Sequence, residues 1–148
     1  MTYEEIKKNL APCGLSCRKC MVYVGGEIKH HAGELGRLLG NFDSAAARLS
    51  RFAPVFSNWP AFKVLLAYFT ETACKGCRSG ECIYTSCGVM SCYRTKGVDF
   101  CSQCGEFPCR NSNFEGEMEK RWRERVSRMK EVGVEGYWEE TEDLPRYV

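Results

Sequence analysis

Eleven cysteines stand in this chain, and most of them are spaced for metal chemistry. The opening stretch "APCGLSCRKC" places Cys13, Cys17 and Cys20 as Cys-x3-Cys-x2-Cys. The element Cys-x2-Cys occurs three times, as Cys17/Cys20, Cys74/Cys77 and Cys101/Cys104. Two intervening residues let both sulfurs face one ion while turn N–H groups point at them. A closed zinc site takes four such ligands at roughly 2.3 Å. The simplest pairing sets Cys74/Cys77 with Cys101/Cys104, and the leading trio then needs a fourth sulfur, for which Cys92 or Cys109 is chosen. Cys87 and Cys92 lie between the two pairs and could displace either. Cys82 is read as a small hydrophobe, the ordinary role of a free buried cysteine.

Zinc and iron–sulfur clusters both accept four thiolates, so both stay open. The Cys13-x3-Cys17-x2-Cys20 spacing is also that of radical S-adenosylmethionine enzymes. Radical chemistry is disfavoured by the short chain, by Lys19 where those enzymes place an aromatic, and by the lack of alternating strands and helices. Thioredoxin-type exchange needs a βαβ setting that is missing here. His30 and His31 are adjacent, so on a helix they point about 100° apart and do not share an ion. The basic run Lys120, Arg121, Arg123, Arg125, Arg128 and Lys130 is interleaved with glutamates, and it reads as a solvated, salt-bridged face rather than a nucleic-acid surface. Arg94, Lys96, Lys75 and Arg78 give the cysteine-rich stretch a modest positive edge, as anionic thiolate sites often have. There is no P-loop, dinucleotide fingerprint, H-E-x-x-H or G-x-S-x-G.

The composition suits one globular domain: 148 residues, 44% hydrophobic, 27% charged, net charge +2. Eight thiolates carrying two zinc ions would bring that charge to about −2, so it does not point to nucleic acid. No apolar leader opens the chain and no stretch is long enough to span a bilayer, so no membrane role is expected and the expected location is cytoplasmic. In a reducing cytoplasm, grouped cysteines are read as metal ligands rather than disulfides.

Helices must position these thiols. Thr2-x-x-Glu5 predicts a capping box, with a short helix stopped by Pro12. Ile28, Ala32, Leu35, Leu38 and Leu39 follow a 3.6 period, and Gly40-Asn41 ends it. A third helix is expected from Asp43 or Ser44 through Phe52 to Pro54, and a fourth from Pro60, carrying Phe62, Leu65, Leu66 and Phe69. Ser112-x-x-Glu115 predicts a second capping box ahead of a stripe of Phe114, Met118, Trp122, Val126 and Met129. Glu117–Arg121, Glu119–Arg123 and Glu124–Arg128 are i,i+4 pairs on its outer faces, and Gly133 is expected to end it. The region from Cys74 to Cys109 has no sustained period. The expected fold is mainly α: one small helical domain over 1–148, helical over 21–73 and 111–140, with an irregular metal-pinned lobe over 74–110 plus 11–20.

The order "APCGLSCRKCMVY", "CKGCRSGEC", "CGVMSCYRTKGVDFCSQCGEFPC" and "MKEVGVEGYWEE" resembles the prokaryotic cysteine-rich family catalogued as domain of unknown function three-seven-nine-five. The resemblance implies metal binding with no assigned reaction, substrate or partner. It implies ligand status for Cys13, Cys17, Cys20, Cys74, Cys77, Cys87, Cys92, Cys101, Cys104 and Cys109. It leaves Cys82 in doubt and does not supply the pairing. The expectation is a binding or adaptor module built on structural zinc, with a protein as the partner if there is one. The alternatives are an iron–sulfur redox or sensor protein and a thiol- or metal-dependent enzyme, with the balance of residues against an enzyme.

Overall fold

The computed structural model describes residues 1–80 and 82–147. The chain is mainly helical, and among the described residues two isolated β-bridges replace any strand. The helices are α1 (Tyr3–Asn9), α2 (Glu27–Leu39), α3 (Asp43–Leu49), α4 (Trp59–Thr70), α5 (Val89–Thr95) and α6 (Gly116–Thr141). Three 3-10 segments, Pro54–Asn58, Cys77–Ser79 and Cys101–Gln103, tighten the connections.

The capping box at α1 is formed: Glu5 N–H donates to Thr2 Oγ1 at 3.4 Å, and Thr2 N–H donates to Glu5 Oε2 at 2.7 Å. Ile6 and Leu10 then pack with Phe100, Met129, Val134, Tyr137 and Trp138 into one core cluster. A second cluster joins Ala11, Cys13, Cys17, Val89, Trp122 and Val126. Burying aromatic and branched side chains at this density stabilises each element by about 1.5–3 kcal/mol per residue.

Several local expectations change on packing. Helix α3 stops at Leu49, so it does not reach Pro54, and Phe52 is 85% exposed. The period in α2 is present, but only Ala32 is buried; Leu38 is 71% exposed, and α2 packs on α4 as an outer arm. The second capping box is not formed. Ser112 is buried, its hydroxyl accepts from Phe114 N–H at 3.3 Å, and its carbonyl accepts Gly88 N–H at 3.0 Å. Helix α6 instead starts at Gly116 with Glu115 as an N-cap lacking a side-chain bond. Gly133, at φ 80°, kinks α6 without ending it, because the helix resumes to Thr141. Arg128 spans the kink to Glu140 and also pairs with Glu131, so the predicted Glu124–Arg128 pair gives way to this longer tie. The Glu117–Arg121 and Glu119–Arg123 pairs are formed, at 3.1 and 2.6 Å. In the stripe, Trp122, Val126 and Met129 are buried, while Met118 is 45% exposed.

Among the described residues no helix is long and apolar enough to cross a membrane.

Candidate functional site

The cysteines line two neighbouring cavities. Cys92, Cys101, Cys104 and Cys109 surround a void of about 20 Å³, closed by Phe107 and Trp122. Cys13, Cys17, Cys20, Cys74, Cys77, Cys82 and Cys87 line a second cavity of about 180 Å³. Trp122, Val126 and Val89 form one apolar cluster with Cys13 and Cys17, and Cys77, Cys87, Cys101 and Cys109 of both groups pack against it. The division differs from the pairing that spacing suggested. Cys74 and Cys77 lie with the leading trio, and Cys92 and Cys109 lie with Cys101 and Cys104.

The four-thiol group is built from one continuous stretch. Helix α5 carries Cys92, and the 3-10 turn at Cys101–Gln103 presents Cys101 and Cys104, with Cys104 N–H donating to Cys101 O at 3.1 Å. Phe107 and Phe114 hold the Trp122 ring edge-on, with centroids 5.2 and 5.8 Å away. Gly88 sets the approach of the following segment: a Cβ there would lie 1.9 Å from the Asn111 carbonyl oxygen, so only glycine fits.

The seven-thiol group is assembled from distant pieces. A parallel bridge joins Tyr23 to Cys74, with Cys74 N–H donating to Val22 O at 3.1 Å and Val24 N–H donating to Cys74 O at 2.8 Å. Cys101 N–H donates to Pro12 O at 2.9 Å and so fixes the leading loop against the other group. Gly76 adopts φ 100° where a side chain would meet Tyr23 and Cys17. Backbone donors point at several sulfurs, including Gly76 N–H at Cys74 and Tyr84 N–H at Cys82, both 3.4 Å. The N–H groups of Val89 and Met90, at the start of α5, do the same for Cys87. Such donors stabilise thiolate over thiol.

Electrostatics distinguish individual thiols. The Cys77 thiol donates to Cys17 and, with the Cys77 backbone N–H, lowers the Cys17 thiol from its ordinary 9.0 to about 6. The same interaction pushes Cys77 strongly upward. Arg146 and Arg78 add positive charge that favours the Cys17 thiolate. Burial, and after it the neighbouring Cys13 of the other group, push Cys101 up to about 12, against a smaller opposing pull from the Trp122 N–H. That indole N–H is buried and makes no full hydrogen bond. Burial also raises Cys13, Cys74 and Cys87.

The donor set fits a thiophilic metal. The sulfurs face shared cavities, backbone N–H groups are aimed at them, and the orphaned Trp122 N–H would be satisfied by a metal-bound Cys101 thiolate. Among the described residues no three His, Cys, Asp or Glu side chains stand close enough to grip an ion outright. An ion would draw these sulfurs inward as it displaced their protons.

Cys82 is the residue that sequence reasoning set aside: it lies on the wall of the seven-thiol cavity with Cys77 and Cys87. The regular Cys77-x4-Cys82-x4-Cys87 interval was the available signal. His30 and His31 are exposed on α2, with rings 5.1 Å apart, and lie outside both groups.

A mainly helical scaffold carrying two thiol-lined cavities defines a cysteine-rich helical protein. The chain belongs to the family described as Protein of unknown function (DUF3795), whose model matches residues 9–114. That span contains every cysteine in the chain. No curated protein and no solved structure matches the chain.

Proposed function

We propose that this protein is a cysteine-rich binding module whose irregular segments are organised by thiolate-bound metal, with zinc at Cys92, Cys101, Cys104 and Cys109. One observation carries the reading: these four cysteines, and no other, line one void of about 20 Å³. A void that size is on the scale of one small sphere of about 10–15 Å³. Four thiolates complete a tetrahedral zinc site with no open position, which favours a structural role over catalysis. Function then lies on the surface that the metal shapes, in the manner of an adaptor.

A second reading, an iron–sulfur protein, is favoured at the other group alone. Seven thiols around about 180 Å³ exceed what one ion needs and suit a polynuclear centre. Metal analysis of protein purified without oxygen separates the two. Zinc in a colourless protein supports zinc throughout. A brown protein with iron and acid-labile sulfide supports a cluster in the larger cavity. Less than one metal ion of any kind per chain overturns both.

A further inference from the structure

A groove of about 480 Å³ lies on the far side of the leading cysteine loop, between that loop, the inner face of α6 and the C-terminal segment. Its volume is within the range of about 300–1,000 Å³ usual for small-molecule sites. Four cations line it, Lys19, Arg121, Arg125 and Arg146, against two acids, Glu117 and Glu124. Three of the cations are already engaged. Lys19 Nζ donates to Thr141 O at 3.3 Å and Leu144 O at 2.5 Å. Arg121 pairs with Glu117, and Arg146 donates to Ser16 O.

Arg125 differs. It belongs to the run that reads from sequence as a solvated basic face, yet it turns inward and is half-buried. It makes no ion pair among the described residues, and its Nε–H is buried without a hydrogen-bond partner. An arginine without an ion pair on a cavity wall is suited to an anion, and its planar fork is matched by a carboxylate that accepts two parallel bonds. Leu10, Leu15, Leu144 and Pro145 supply apolar surface to the groove wall, beside Ser16, Tyr137 and Thr141. We propose that this groove is a binding site for a small organic carboxylate, whose anionic end pairs with Arg125 and whose hydrocarbon body lies along the Leu15–Leu144 side. Arg125 and Arg146 line both this groove and the seven-thiol cavity, so the bound carboxylate sits one side chain away from the cysteines. The proposal does not depend on which metal, if any, the thiols hold.

The test uses the full chain as purified, with metal content measured on every sample. Hexanoate, its uncharged analogue hexanamide and inorganic phosphate are each titrated while the backbone amide signals of Gly14, Ser16 and Thr141 are followed by NMR. Saturable shifts with hexanoate at a Kd of roughly 10 mM or tighter, and about tenfold weaker binding of hexanamide, are expected. Arg125→Gln should weaken hexanoate about tenfold with metal content unchanged, and Arg125→Lys, which keeps charge but loses the fork, should fall between. The proposal is overturned if hexanoate gives no saturable shift, if hexanamide binds as well, or if phosphate alone binds. It is equally overturned if Arg125→Gln binds hexanoate like the unaltered protein. If both variants lose metal or unfold, the hexanoate–hexanamide comparison on the unaltered protein decides.

Discussion

The two cysteine groups are assembled from the chain in different ways. The four-thiol group comes from one short stretch, 92–109, folded over a small void against Trp122. The seven-thiol group gathers sulfurs from the leading loop, from the residues following α4 and from the approach to α5. Closing a short loop costs less chain entropy than closing a long one, though the cost grows only slowly with length. The first group can therefore be ordered by its own neighbours. The second needs the Tyr23–Cys74 bridge and the Cys101–Pro12 hydrogen bond to bring its parts together. Local closure gives a tight site with no spare sulfur. Distant closure gives a wider cavity with more sulfurs than one ion requires.

The largest effect is expected at Trp122, in the apolar cluster beside both groups. Trp122→Ala should cost about 3–5 kcal/mol in denaturant unfolding, since the ring is 1% exposed and packs on Phe107 and Phe114. A loss below about 1 kcal/mol would show that the ring does not hold the cluster beside both cavities together.

A smaller effect follows from acidity in the metal-stripped, reduced protein. Cys17, held down to about 6, contributes stability that is full above the ordinary value of 9.0 and is lost as pH falls through 6. Cys101, pushed up to about 12, keeps its proton while the unfolded chain sheds one, so stability falls as pH rises from 9.0 toward 12. Hydrogen exchange should accordingly show the leading loop weakening toward acid and the segment around Cys101 weakening toward alkali. Parallel trends in the two segments would remove the electrostatic distinction between them.

The smallest effect is expected at Cys82. It belongs to the group with surplus sulfurs, so Cys82→Ser should change stability by less than about 1 kcal/mol and leave the metal count unaltered. A lost metal ion would make it a required ligand and sharpen the count within that cavity.

The sequence was most legible where structure is set locally. The Thr2–Glu5 box, Pro60 in the first turn of α4, Gly40 after α2 and the Trp122–Val126–Met129 stripe depend on neighbours a few residues away. Ser112 misled because the capping signal is local while its fate is not: Gly88 and the Asn111 carbonyl approach so closely that Ser112 is drawn into the turn beneath α5. Phe52 and Leu38 carry helical spacing, but nothing in the described chain covers that face of the outer arm. The cysteine pairs could be found from spacing, yet their partners could not. The Tyr23–Cys74 bridge brings Cys74 and Cys77 beside the leading trio, and no period or motif encodes that bridge. Arg125 was hidden for a related reason, since a charge run does not reveal which member turns inward.

Under the proposed function, each of the two groups holds its own metal. The direct measurement is metal content per chain in two double variants prepared without oxygen, Cys101→Ser with Cys104→Ser, and Cys17→Ser with Cys77→Ser. The account predicts that the first loses only the metal of the four-thiol group and the second only that of the seven-thiol group, so that the two losses sum to the content of the unaltered protein. Loss of all metal in both variants, or no loss in either, would contradict it.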